Sequence, residues 1–177
     1  MLKSYSIIFF FLLLSACSPA GNENKKETRN KKIIEAYIDT VWNKKELDSL
    51  KVYFSSAFKR NINNIGVAYD NNELTANLNL LFNSFPDLHL NIEYLTAAKN
   101  KIFMNWSITG TNLGEFSDHP ATGKKVRITG ITEIEINEEG MIAYENIYYN
   151  ELSLMQQLGY KLIVPNDDKL ESKINQN

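Results

Sequence analysis

The chain carries one cysteine, Cys17, in 177 residues, so neither an internal disulfide nor a paired-cysteine metal site can form. It has two histidines, His89 and His119, and neither has a second His or Cys nearby to complete the three or four ligands a metal site needs. Charge of one sign is also missing. Nineteen Lys and Arg stand against 21 Asp and Glu without a concentrated basic face, which argues against nucleic acid as a partner. No glycine-rich phosphate loop and no nucleophile elbow occurs, so nothing implies a nucleotide or any other cofactor. The leading apolar run, Ile7 to Leu14, is too short to cross a bilayer as a helix.

What is present begins with that run. Lys3, the apolar stretch and Leu14-Ser15-Ala16-Cys17 follow the order of a secretory signal. Leu-Ser-Ala-Cys resembles a bacterial lipobox. The resemblance implies cleavage before Cys17, diacylglycerol on its sulfur and an acyl chain such as palmitate on its new amino group. Three chains, at about 0.8 kcal/mol per buried methylene, would hold the protein on a membrane essentially permanently. Ser18 in place of Asp resembles an outer-membrane sorting signal, so the expected location is the cell envelope, on the periplasmic side of the outer membrane.

The expected organisation is a signal peptide over 1–16, a flexible tether over 17–30, one domain over 31–160 and a polar tail over 161–177. Ile33, Ile34, Tyr37, Ile38, Val41 and Trp42 make one apolar helical stripe. Leu47, Leu50, Tyr53 and Phe54 suggest a second short helix. Phe58 to Val67 is too polar and turn-prone to assign. Asp70-Asn71-Asn72 caps a third helix with Leu74, Leu78, Leu81, Phe82 and Phe85 on one face, ended by Pro86. From Leu88 the period changes to alternation. Leu88, Leu90, Ile92 and Tyr94 share one strand face, as do Ile102, Met104, Trp106 and Ile108, then Val126 through Ile136. A fourth strand lies in Met141 to Asn150, and a closing helix is stopped by Gly159. Helices followed by hairpin-linked strands make an α+β fold, with three helices on the concave face of a curved antiparallel sheet. The resulting cone would hold a small molecule.

Phe85-Pro86-Asp87-Leu88, Trp106 with Thr109-Gly110-Thr111, Gly114-Glu115-Phe116, Thr122-Gly123-Lys124-Lys125-Val126, Gly140-Met141-Ile142 and Leu154-Met155-Gln156-Gln157-Leu158-Gly159 occur in an order that resembles the SnoaL-like polyketide and ester cyclases of the nuclear-transport-factor-two-like superfamily. The resemblance covers about residues 31 to 160. It implies a cone-shaped α+β barrel, often a homodimer through the outer face of the sheet. It also implies a pocket Asp acting as base in an intramolecular aldol condensation, helped by a His one strand earlier. Matched residue by residue, the His position falls on Thr132 and the Asp position on Ile147. Neither moves a proton near neutral pH, so the usual acid-base pair is expected to be lacking. Asn146 stands where the last strand usually has Trp.

Glu145 shares a strand face with Ile147 and is the candidate base. A carboxylate in that setting is raised in pKa, solvated at a pocket mouth, or paired with a Lys or Arg. Tyr37, Trp42, Met104, Trp106, Thr132, Ile147 and Tyr149 are the candidate ligand-binding residues. Asp118 and His119 are candidates for the pocket rim, where an acid and an imidazole could pass a proton but more simply form an exposed loop pair. The sequence thus points to a membrane-anchored domain binding a small, mainly apolar molecule. The other reading is a cyclase, isomerase or hydrolase using Glu145.

Overall fold

The computed structural model describes residues 19–161. Helix α1 (Pro19–Tyr37) runs into a π-helical turn (Ile38–Asn43), and a 3-10 turn (Leu47–Ser49) leads into α2 (Leu50–Tyr53). Strands β1 (Phe54–Ile62) and β2 (Ile65–Ala68) precede α3 (Asn71–Ser84). The strands β3 (His89–Ala98), β4 (Lys101–Thr111), β5 (Lys125–Ile136) and β6 (Ile142–Tyr149) follow, and α4 (Glu151–Leu158) closes the fold. The signal peptide, Cys17 and nearly all of the polar tail lie outside the described residues.

One six-stranded sheet runs in the order β2-β1-β6-β5-β4-β3. The α+β class holds, and β3 to β6 form the expected antiparallel hairpins. Two features differ from the expectation. The sheet is mixed, because β1 lies parallel to β6, and it is not closed, since β2 and β3 are free edges. The stretch without an assignment, Phe58 to Val67, supplies these extra strands. Asn63 and Asn64 sit at φ 50° and 67°, a left-handed pair that asparagine tolerates and that suits a two-residue hairpin between Ile62 and Ile65.

The helical segment begins at Pro19, well before the apolar stripe that starts at Ile33. Asn30 is fully buried and its Nδ2 donates to the Lys99 carbonyl at 3.3 Å, while Glu27 Oε1 accepts from the Lys99 N–H at 2.9 Å. These bonds fasten the helix to the β3–β4 turn. At the other end of the stripe, the widened π-helical turn presents both Ile38 and Trp42 to the interior.

Helix α3 is capped as expected, with Asp70 Oδ1 accepting from the N–H groups of Asn72 at 2.8 Å and Glu73 at 2.9 Å. Its Leu74, Leu78 and Phe82 are buried against the sheet. Leu88, just before β3, and Leu90 within it point inward, but Tyr94 is 63% exposed. A bulge at Glu93 pairs Ile92 with Trp106 and Tyr94 with Asn105, which turns Tyr94 outward and puts Leu95 inside. Tyr94, Asn105, Ile131 and Tyr148 therefore form one register row across the outer face.

Candidate functional site

Between the sheet and helices lies a cavity of about 980 Å³. Its wall is mostly apolar, with Leu78, Leu90, Met104, Ile108 and Ile128 among the lining side chains. Exposed residues mark its mouth: Leu80 and Asn83 at the end of α3, and Ser117 and Asp118 in the β4–β5 loop. Buried polar residues mark its floor.

The floor follows from strand register. On β6, alternation puts Glu145 and Ile147 on the inner face, opposite Ile134 and Thr132 of β5. The parallel β1–β6 pairing puts Arg60 directly beside Glu145. Arg60 Nε lies 3.3 Å from Glu145 Oε2, and the two side chains are 4% and 2% exposed. The Arg60 guanidinium also sits 5.4 Å from the centre of the Trp42 ring, a favourable position for a cation over an indole face. Arg60 Nη1 and Glu145 Oε2 are buried and make no hydrogen bond within the protein. An ion pair out of water is costly unless its remaining donors and acceptors are satisfied, so these two atoms are the least satisfied polar groups lining the cavity.

Burial pushes the Glu145 carboxyl above the ordinary carboxylate range, and the Arg60 guanidinium only partly opposes it. Burial, followed by the Glu145 charge, pushes the Tyr37 phenol up. Burial likewise raises Tyr149.

The residues singled out in the sequence divide in two. Trp42, Met104, Trp106, Thr132, Glu145, Ile147 and Tyr149 all line the cavity. Trp106 Nε1 donates to Thr132 Oγ1 at 2.9 Å, so the threonine hydroxyl anchors an indole. That indole needs Gly130, its register partner on β5, because a Cβ there would collide with the ring. Tyr37 is fully buried and does not line the cavity; its hydroxyl accepts from Trp42 Nε1 at 2.8 Å and holds that ring in place. Asp118 is exposed at the mouth. His119 is exposed, does not line the cavity, and packs edge-on to Tyr160 at 5.0 Å. Among the described residues, no three of His, Cys, Asp and Glu converge to hold a metal ion. Asn146 faces away from the cavity, where its Nδ2 donates to Asn64 Oδ1 at 2.7 Å and to the Tyr148 hydroxyl at 2.6 Å.

Arg60 was missed in the sequence. Its signal was the alternation Phe58, Arg60, Ile62 running into the Asn63-Asn64 turn, which marks a strand with an arginine on its apolar face.

The mouth is built differently. Asn112, buried, donates to the carbonyls of Ser84 at 3.3 Å and Gly114 at 2.8 Å and accepts from the Thr122 N–H and hydroxyl at 2.8 and 2.9 Å. The N–H groups of Leu113 and Gly114 bond the Ser84 carbonyl, and the Ser84 hydroxyl donates to the Glu115 carbonyl. Gly114 passes so close to the Asn83 carbonyl that a Cβ would strike it. Asp87 accepts from the Thr111 N–H and hydroxyl, both at 2.6 Å, and these bonds hold its carboxyl below the usual range.

A family model described as SnoaL-like polyketide cyclase matches residues 32–158. Among solved structures, a protein described as a SnoaL-like polyketide cyclase from Jannaschia sp. CCS1 is similar at 20% identity and a TM-score of 0.71, over 82% of this chain and 97% of that one. A protein described as a polyketide cyclase from Xanthomonas campestris aligns at 14% identity and a TM-score of 0.69, over 76% and 99%. One described as a hydroxylase from Streptomyces galilaeus aligns at 20% identity and a TM-score of 0.67, over 75% and 97%. At these identities the structural likeness shows the fold alone. A comparison with curated proteins returned no significant match.

Proposed function

The chain belongs to the SnoaL-like polyketide cyclase family, and from that premise we propose that it binds one small, mainly apolar molecule in its cone while a lipid on Cys17 tethers it to a membrane of the cell envelope. The observation that carries the binding reading is the cavity itself, about 980 Å³ of largely apolar lining with a charged pair at its floor. Thr132 and Ile147, at the positions of the family's proton-transferring residues, supply no acid-base pair, so binding does not require turnover.

Titration calorimetry with 2-acetylnaphthalene tests this directly. Saturable one-to-one binding is expected, and Ile108→Trp, which fills the wall, should abolish it. Binding indifferent to Ile108→Trp would contradict the reading. For the tether, Cys17→Ser should move the protein out of the membrane fraction; retention there would rule the anchor out.

A second reading rests on Glu145 lining the cavity with an oxygen that accepts no hydrogen bond, although Arg60 Nε lies 3.3 Å away. Its carboxylate would take a proton from a carbon next to a carbonyl, the electron pair passing to the carbonyl oxygen, and return it elsewhere on the molecule. Exchange of the methyl protons of 2-acetylnaphthalene for deuterium, followed by NMR, would then exceed the solvent rate and disappear in Glu145→Gln. Because burial raises Glu145, exchange should climb with pH above the ordinary carboxylate range. Exchange at the solvent rate in the wild type ends this reading.

A further inference from the structure

The apolar wall accepts many shapes, but the floor is selective. Arg60 and Glu145 are both more than nine-tenths buried and both line the cavity. Arg60 Nη1 is a donor without an acceptor, and Glu145 Oε2 is an acceptor without a hydrogen-bond donor. Glu145 Oε2 is also the oxygen 3.3 Å from Arg60 Nε, so the donor and the acceptor that lack hydrogen bonds belong to one ion pair. The pair also carries its own counter-charge. An ionic head group arriving at the floor would find no net charge to neutralise it, and a carboxylate would meet the Glu145 oxygen as an acceptor facing an acceptor. A head group without polar atoms would leave both groups unsatisfied, which is the costlier side of any buried hydrogen-bond inventory.

We infer that the ligand enters apolar end outward and presents to Arg60 and Glu145 a neutral head group with a hydrogen-bond acceptor next to a donor, as in a carboxamide or a hydroxycarbonyl compound. The acceptor takes the Arg60 Nη1 hydrogen and the donor gives its own to Glu145 Oε2. Trp42, held by Tyr37, lies against the guanidinium.

This inference rests on the ligand-binding reading above, and four probes with one skeleton separate the two: 2-naphthamide, 2-naphthoate, 2-acetylnaphthalene and 2-methylnaphthalene, each titrated calorimetrically at pH 8. The amide should bind at least tenfold tighter than the carboxylate and the acceptor-only ketone, with the hydrocarbon weakest. In the double variant Arg60→Met, Glu145→Met, which leaves no lone buried charge, all four should bind within a few-fold of one another. Equal affinities for the four in the wild type would overturn the head-group inference and leave the ligand-binding reading standing. Carboxylate binding as tight as amide binding would overturn it too, as would an amide preference that survives in the double variant. No binding of any probe would overturn both. Should the double variant fail to fold, Glu145→Gln provides the check: an amide preference over the ketone undiminished in that variant would contradict the assigned role of Glu145.

Discussion

The mouth and the floor of the cone are made from different kinds of residue. At the mouth, Asp87, Thr111, Asn112, Gly114 and Thr122 form a net of hydrogen bonds tying the end of α3 to the β4–β5 loop, and every bond closes on a partner within the protein. At the floor, Arg60 and Glu145 face each other in an apolar surround and leave a donor and an acceptor open. Satisfied polar networks specify a shape. Unsatisfied ones lining a cavity await something else. All of the mouth residues but Asn112 lie in the stretches that resemble the family, and neither floor residue does.

Substitutions that separate the two regions follow from this contrast. The largest effect belongs to the floor. Arg60→Met alone strands the Glu145 carboxylate in a buried site and should cost about 3–5 kcal/mol in denaturant unfolding. Adding Glu145→Met should restore most of that loss. A double variant as unstable as the single would mean that the pair staples the fold, and the contrast with the mouth would collapse.

The mouth should answer next. Gly114→Ala forces a Cβ against the Asn83 carbonyl and should cost about 1–3 kcal/mol by the same measurement. The variant should keep the wild-type ranking of amide over carboxylate, since the floor is untouched. A changed ranking would tie head-group selection to the mouth.

A smaller effect concerns pH. Glu145 has a raised folded pKa, so its contribution to stability is fully present below the ordinary carboxylate range and is lost as pH rises through its folded value. Unfolding of the wild type compared with Glu145→Gln across the acidic and neutral range should show the wild type losing ground as pH increases. A wild type that gains on the variant over that range would mean that Arg60 outweighs burial.

Helical and alternating periods made α3, β4 and β5 legible in the sequence, because there the buried residues fall mainly on one face of each element. Two departures have local causes. Tyr94 turned outward because of one bulge residue, Glu93, which no period-two pattern anticipates. Residues 19–30 had no apolar face and read as a tether, yet buried Asn30 and the Glu27 contact to Lys99 hold them helical through polar bonds that hydrophobic spacing does not register. The candidate site was half visible. Glu145 could be placed by alternation with Ile147, whereas Arg60 lies in an Asn-rich stretch whose turn residues hid the strand. Its pairing with Glu145 depends on β1 inserting parallel to β6, a contact between segments more than eighty residues apart that local sequence does not encode.

The most direct measurement is a crystal structure of the protein with 2-naphthamide bound. The amide oxygen should lie within hydrogen-bond reach of Arg60 Nη1 and the amide nitrogen within reach of Glu145 Oε2, with the naphthalene rings between Met104 and Ile108. An amide lying at the mouth beside Asp118, with the rings against the Arg60–Glu145 pair, would contradict the assignment of the floor as the recognition site.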